Sequence, residues 1–168
     1  YPMLFVALFG NLLLLFFDSN GTKGSLYDEE KYSAGVVMQK QYRDDRKSDS
    51  LIGVDFYFKQ PNKYFRPKIG FYSTENGTRF LSAGISKDVK IVDRLYVFTH
   101  LLPSLSYIAG KNKKNNSGVI NFNIGMGLSF LVTNDIAVSL EWRHISNAKT
   151  HMPNRAIEAV GLSFRVKI

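Results

Sequence analysis

The segment VINFNIGMGLSF, Val119–Phe130, alternates apolar residues with small polar residues and glycine. Successive side chains of a β-strand point to opposite faces, so a period of two predicts a strand with one apolar and one polar face. The apolar face carries Ile120, Phe122, Ile124, Met126, Leu128 and Phe130. From Asn121 onward, the opposite face carries only asparagine, glycine and serine. The segment therefore predicts a β-strand that separates two very different environments.

The same alternation recurs along most of the chain, and no window has the sustained 3.6-residue period of an amphipathic helix. It predicts eight strands, at residues 32–42, 50–59, 65–73, 78–86, 94–109, 118–131, 135–147 and 156–168. Turn-forming residues such as Pro61-Asn62 and Thr133-Asn134-Asp135 separate them. The fifth segment alternates poorly around Leu101, Leu102 and Pro103, where a bulge or a bend is expected.

Long strands at regular spacing are typical of a β-sandwich or a β-barrel. The apolar face lies inside a water-soluble sandwich, whereas it meets lipid in an outer-membrane barrel, whose polar face lines the interior. The small polar residues suit the narrow interior of an eight-stranded barrel. The even strand number and the alternating last strand favour an all-β fold, an eight-stranded antiparallel transmembrane outer-membrane barrel, over a sandwich or a lipocalin-like carrier. We expect an ionic network inside it, built from Glu141, Arg143, Arg165 and Lys167.

The composition limits the classes of function. A length of 168 residues suits one domain, which we place at residues 21–168. The absence of cysteine excludes disulfides and thiol catalysis, and with three histidines no metal or other cofactor is expected. The net charge is +8, and basic residues cluster in Lys40–Lys47 and Lys111–Lys114. Such runs are either solvated loops or sites that attract phosphate-bearing partners, but no nucleic-acid-binding module accompanies them, so no nucleic-acid partner is expected.

The amino-terminal segment Met3–Phe17 is strongly apolar but shorter than the roughly 20 residues of a membrane-spanning helix. Its length is typical of the apolar part of a secretory signal. We predict that residues 1–20 are an export segment, truncated at its start because a basic leading region is missing. A retained anchor or a terminal amphipathic segment is the alternative.

Three polar residues lie on the apolar parity of the last two predicted strands, namely His144, Ser146 and Glu158. Residues i and i+2 of a strand lie on one face, about 6.6–7 Å apart, so His144 can lean toward Ser146. If the two strands form a hairpin, Glu158 comes up beside the end of the other strand. A serine nucleophile, a histidine base and an orienting carboxylate would then be assembled. The alternative is that all three are ordinary polar residues at the rim of a membrane barrel.

The residues around this trio resemble the active-site signature of the lipid A 3-O-deacylases, which are outer-membrane enzymes. The matching stretches are His144-Ile145-Ser146-Asn147-Ala148, Pro153-Asn154 and Ile157-Glu158. The resemblance implies a cofactor-free serine esterase, integral to the outer membrane, with its active site toward the outer leaflet. Its substrate would be lipopolysaccharide, from which it would release the ester-linked 3-hydroxyacyl chain at position 3 of lipid A. Surrounding outer-membrane lipid is the other expected partner, and the resemblance leaves a homodimer open.

The resemblance also assigns roles to individual residues. Ser146 would attack the acyl carbonyl, His144 would take its proton, and Glu158 would hold His144. The oxyanion hole would use backbone N–H groups at Lys149 and Asn154, with Asn147 in a supporting role. Lys149 stands where the family commonly has glycine, and a positive φ would be costly there. Ala156 likewise replaces a common glycine.

Two other classes of function fit the same strands. One is a different outer-membrane acyl hydrolase or acyltransferase, of the phospholipase or palmitoyltransferase type. The other is a non-catalytic barrel with a structural or adhesive role.

Overall fold

The computed structural model describes residue 26 and residues 31–42, 50–61, 65–108, 119–148 and 156–168. Its eight strands are β1 Ser33–Tyr42, β2 Ser50–Tyr57, β3 Arg66–Thr74, β4 Thr78–Val92, β5 Leu95–Ile108, β6 Ile120–Leu131, β7 Ile136–Ser146 and β8 Ile157–Lys167. Each strand pairs antiparallel with its neighbour in the chain, and β1 also pairs with β8, which closes the barrel. The predicted fold class is confirmed. The predicted export segment, residues 1–20, lies outside the described residues.

In the described ranges there is no helix long and apolar enough to cross a membrane.

The two faces of the strands have the predicted environments. On β6 the side chains of Asn121 and Asn123 are fully buried inside the barrel, whereas Ile120 is 57% exposed and Phe130 is 50% exposed. The same contrast holds around the barrel, whose outward face carries exposed residues such as Ile52, Phe56, Phe71, Leu81, Leu140 and Leu162. This apolar outer band is the surface that a membrane barrel turns to lipid.

A network of charges fills the middle of the barrel. The Asp55 carboxylate lies 2.9 Å from Lys68 Nζ and 3.6 Å from an Arg143 guanidinium nitrogen, and it accepts a hydrogen bond from the Tyr72 hydroxyl. Arg143 Nε in turn donates to Glu141 Oε1 at 2.8 Å. All five side chains are buried. Because an unpaired buried charge is very costly, this mutual pairing is a condition for the barrel to close around them.

The predicted ionic network is confirmed for three of its four members. Glu141 and Arg143 pair with each other, and Arg165 pairs with Asp88 at 3.1 Å. The prediction for Lys167 is wrong, since its partner is Asp135 at the rim, where the two side chains are 26% and 60% exposed. Lys167 is the last residue of β8 and lies beside the turn before β7, so its side chain reaches the rim instead of the interior.

Small residues on β6 make room for a large one on β5. His100 is fully buried and lies 3.3 Å from both Lys68 and Asn123. Gly125 is its cross-strand neighbour, and a Cβ on that glycine would come within 2.3 Å of the imidazole. Close packing of His100 against β6 therefore explains the glycine at position 125.

The fourth and fifth strands differ from their prediction. β4 continues to Val92, six residues beyond the predicted end. Asp88 in this extension pairs with Arg165 inside the barrel. The charged residues around Asp88 obscured the alternation in the sequence. At Leu101–Pro103, where a bulge or a bend was expected, no extra residue is inserted, so the bulge is wrong. The pairs Ser82–Ser104 and Ile85–Leu101 keep one register across that region, and the register shifts between Lys90 and Val92. Proline lacks an N–H group, so it interrupts the ladder without inserting a residue.

One end of the barrel is defined by the end of β7 at Ser146 and the start of β8 at Ile157, and we call it the site end. Just inside it lies an apolar cluster formed by Val37, Leu51, Tyr72, Phe80 and Ile145, with Ile157 packed against it. Ile145 points into this cluster from between His144 and Ser146. The cluster therefore anchors the stretch of β7 from which those two side chains project outward.

Candidate active site

The structure brings the three predicted site residues together on the outside of the barrel. His144 and Ser146 share the outward parity of β7 with Leu140 and Trp142, whereas Ile145 is buried inside. The register of β7 and β8 places Glu158 directly opposite His144. Cross-strand neighbours of this kind have Cβ atoms about 4.5–5.5 Å apart, which is within reach of a carboxylate and an imidazole.

The histidine lies between the other two groups. His144 Nε2 is 3.0 Å from Ser146 Oγ, a hydrogen-bond distance. His144 Nδ1 is 3.6 Å from Glu158 Oε1, an ion-pair contact longer than a hydrogen bond. An imidazole with its proton on Nδ1 would face Glu158 with N–H and Ser146 with an acceptor nitrogen, which is the arrangement that general-base chemistry needs.

Exposure rises steeply across the trio. Ser146 is 8% exposed, the His144 side chain 18% and the Glu158 side chain 52%. On the β6 side, the neighbours of Ser146 and His144 in the register are Phe122 and Ile124. The serine is therefore sheltered beside apolar residues, and the carboxylate is the most exposed group of the three. An amphipathic ester, with an apolar tail on one side and a polar head on the other, matches this gradient.

The chain leaves β7 through a strained residue. Asn147 is fully buried, and Ala148 has φ 49°, in the left-handed region. For a residue with a side chain this conformation costs about 1–2 kcal/mol. The sequence predicted such a cost at Lys149, but Lys149 and Asn154 lie outside the described residues, so both stay predictions.

In the described ranges, no three His, Cys, Asp or Glu side chains are grouped as they would be to hold a metal ion. The contact that sequence reasoning missed is aromatic. The Trp142 indole stacks on the His144 imidazole, with ring centroids 6.1 Å apart. The sequence did contain a signal for this contact, because Trp142 and His144 are two residues apart on one predicted strand.

The fold of the chain is similar to that of several solved structures. The crystal structure of the outer membrane enzyme PagL has a TM-score of 0.57 and 18% identity, covering 82% of this chain and 99% of that one. Neisserial surface protein A has a TM-score of 0.55 and 15% identity, covering 82% of this chain and 96% of its own. A de novo designed transmembrane β-barrel has a TM-score of 0.56 and 15% identity, covering 83% and 96%. At these identities, the likeness shows the fold alone.

No curated protein sequence matches the chain. The sequence profile of the family described as lipid A 3-O-deacylase (PagL), however, matches residues 30–167, which is most of the chain and all eight strands. The chain therefore belongs to the lipid A 3-O-deacylase family, and it is a carboxylic ester hydrolase integral to the outer membrane.

Proposed function

We propose that the chain hydrolyses the ester-linked 3-hydroxyacyl chain at position 3 of lipid A with a Ser146–His144–Glu158 triad on the outer face of the barrel. The observation that carries the proposal is the position of His144, 3.0 Å from Ser146 Oγ and 3.6 Å from Glu158 Oε1. The trio lies on the lipid-facing side of β7 and β8, at the site end. An acyl chain of a membrane lipid can reach the serine there without leaving the bilayer.

The geometry supports a two-step acyl transfer. Ser146 Oγ attacks the ester carbonyl while His144 Nε2 takes the hydroxyl proton. The tetrahedral intermediate collapses, the bond from carbonyl carbon to the glucosamine oxygen breaks, and the protonated His144 donates to that leaving oxygen. A water molecule, deprotonated by the same imidazole, then attacks the acyl-serine. The bond from the carbonyl carbon to Ser146 Oγ breaks, His144 returns the proton to Oγ, and the 3-hydroxy fatty acid is released. Glu158 stabilises the imidazolium that forms in each step.

The family signature supplies the remaining parts of the proposal. The negative charge on the tetrahedral oxygen would be stabilised by backbone N–H groups at Lys149 and Asn154. Asn147 follows the nucleophile and is fully buried, which suits a supporting role for the loop behind Ser146. The family supports lipid A as the substrate, whereas the homodimer stays a prediction.

The proposal is tested with purified protein refolded in detergent and supplied with lipopolysaccharide. The expected product is free 3-hydroxy fatty acid, and the lipid A should lose one acyl chain by mass spectrometry. His144→Ala should lose this activity, since no other group lies at hydrogen-bond distance from Ser146 Oγ to take its proton among the described residues. Gain of an acyl chain by lipid A, or release of fatty acid from phospholipid instead, would identify the acyltransferase or phospholipase alternative and contradict the proposal.

The acid of the triad should matter less than the other two residues. Glu158→Gln keeps the shape but removes the charge beside His144, and we expect kcat to fall by roughly 10²-fold, the low end for groups in acid–base catalysis. The loss is limited because the Glu158 side chain is half exposed and its charge is partly screened. Steady-state kinetics of fatty-acid release measures the effect, and unchanged kcat in the variant would remove Glu158 from the mechanism.

A further inference from the structure

Trp142 and His144 form a ring pair on the outer face of β7. Their ring centroids are 6.1 Å apart and their planes differ by 23°, an offset-stacked arrangement within the range of attractive aromatic pairs. Along β7, Trp142 lies two residues before His144 and Ser146 lies two residues after it. The imidazole is therefore held along the strand between an indole and the hydroxyl that it must deprotonate.

The carboxylate alone gives His144 limited orientation. The distance from His144 Nδ1 to Glu158 Oε1 is 3.6 Å, and the Glu158 side chain is 52% exposed. A half-exposed glutamate retains much of its rotamer freedom, so it holds the ring weakly. A rotation of the ring about its side-chain torsions would move Nε2 away from Ser146. A second contact that restricts the ring is therefore valuable to the chemistry.

The indole is well placed to supply that contact. Its neighbours in the register are Met126 on β6 and Val160 on β8, so it is flanked on both sides along the outer face. Trp142 is half-buried, whereas Leu140, two residues along the same face, is exposed. An outward-facing tryptophan on a membrane barrel would ordinarily be explained as an interfacial anchor. The stacking on His144 gives it a second and more specific role.

We propose that Trp142 is a positioning residue for His144, keeping Nε2 directed at Ser146 Oγ and favouring the imidazolium that forms during acyl transfer. Aromatic faces attract cations, most strongly at tryptophan, so the pair is tighter when the histidine is protonated than when it is neutral. The stabilisation is thus larger in the charged intermediate than in the resting enzyme, and it raises kcat instead of substrate affinity. This inference rests on the proposed function of the triad.

The test compares Trp142→Leu and Trp142→Phe with wild type in steady-state kinetics. We expect Trp142→Leu to lower kcat by about 3- to 10-fold with KM within about twofold, as for the loss of one aromatic pair. Trp142→Phe keeps a ring over the imidazole and should recover most of the lost kcat. Phe130→Leu is the matched control, because it removes another outward aromatic residue from the lipid-facing band and should leave kcat unchanged.

A second measurement needs no lipid substrate. A fluorophosphonate probe reacts with a serine that is activated by its histidine, so the rate of labelling of Ser146 reports on the same contact. Labelling should be slowed in Trp142→Leu, partly restored in Trp142→Phe and unchanged in Phe130→Leu. If wild-type Ser146 is not labelled, the proposed function itself fails. If it is labelled and Trp142→Leu reacts at the wild-type rate, or if Phe130→Leu slows equally, the inference about Trp142 is overturned and the triad stands.

Discussion

Replacing Ser146 with alanine is expected to lower kcat/KM for lipid A deacylation by about 10³-fold or more, the usual effect of deleting the nucleophile of a triad. In the proposed mechanism His144 activates the Oγ atom, which lies 3.0 Å from Nε2. Ser146 is almost fully buried, so the substitution removes one oxygen from a sheltered position and leaves the surrounding apolar surface intact. Substrate binding should therefore change little, and the loss should appear in kcat. Initial rates of 3-hydroxy fatty acid release from lipopolysaccharide measure it.

The matched control is Ser50→Ala. Ser50 also has outward parity and begins β2, beside the end of β1, but it lies two strands away from β8. Its activity should equal that of wild type. The double variant His144→Ala/Ser146→Ala should be no slower than Ser146→Ala, because residues that act as a unit are not additive. If the kcat/KM of Ser146→Ala is within tenfold of the wild-type value, measured beside Ser50→Ala, Ser146 is not the nucleophile.

Replacing Asp55 with alanine is expected to destabilise the barrel by about 3–5 kcal/mol, the usual cost of removing one partner from a buried ion pair. Asp55 lies between Lys68 and Arg143, which are both fully buried. Its carboxylate also accepts a hydrogen bond from the Tyr72 hydroxyl. Its loss leaves Lys68 Nζ without the carboxylate that lies 2.9 Å away. The free energy of unfolding, from urea titrations of the barrel in lipid vesicles, measures the effect.

Asp135→Ala is the control for this experiment. Asp135 also pairs with a lysine, Lys167, but the two side chains are 60% and 26% exposed at the rim of the barrel. Exposed pairs contribute about 0–1 kcal/mol, so this variant should unfold close to wild type. Equal destabilisation by Asp55→Ala and Asp135→Ala would show that the interior network does not stabilise the barrel in the way described.

The sequence predicted those features that depend on neighbours in the chain. Alternation assigned the two faces of each strand, and the hairpin between β7 and β8 placed Glu158 opposite His144. The spacing His144–Ser146 needed only the geometry of one strand. For these reasons the barrel and the grouping of the three side chains were predictable before any coordinates.

Features that depend on contacts across the barrel were not predictable. The contacts of Asp55 with Lys68 and Arg143 join β2, β3 and β7, and they depend on how far the strands stagger as the barrel closes. The length of β4 depends in the same way on Asp88 meeting Arg165 across the interior. The left-handed backbone of Ala148, two residues after Ser146, was not predicted either, because the path of the chain out of β7 is not encoded in a family motif.

The most direct test of the central claim is the mass spectrum of lipid A from outer membranes that contain either the wild-type chain or its Ser146→Ala variant. The proposed triad predicts that wild type removes one ester-linked 3-hydroxyacyl chain, from position 3, and that lipid A beside the folded Ser146→Ala protein keeps it. The same loss with both proteins, or an intact lipid A with both, would contradict the assignment of Ser146, His144 and Glu158 as the catalytic residues.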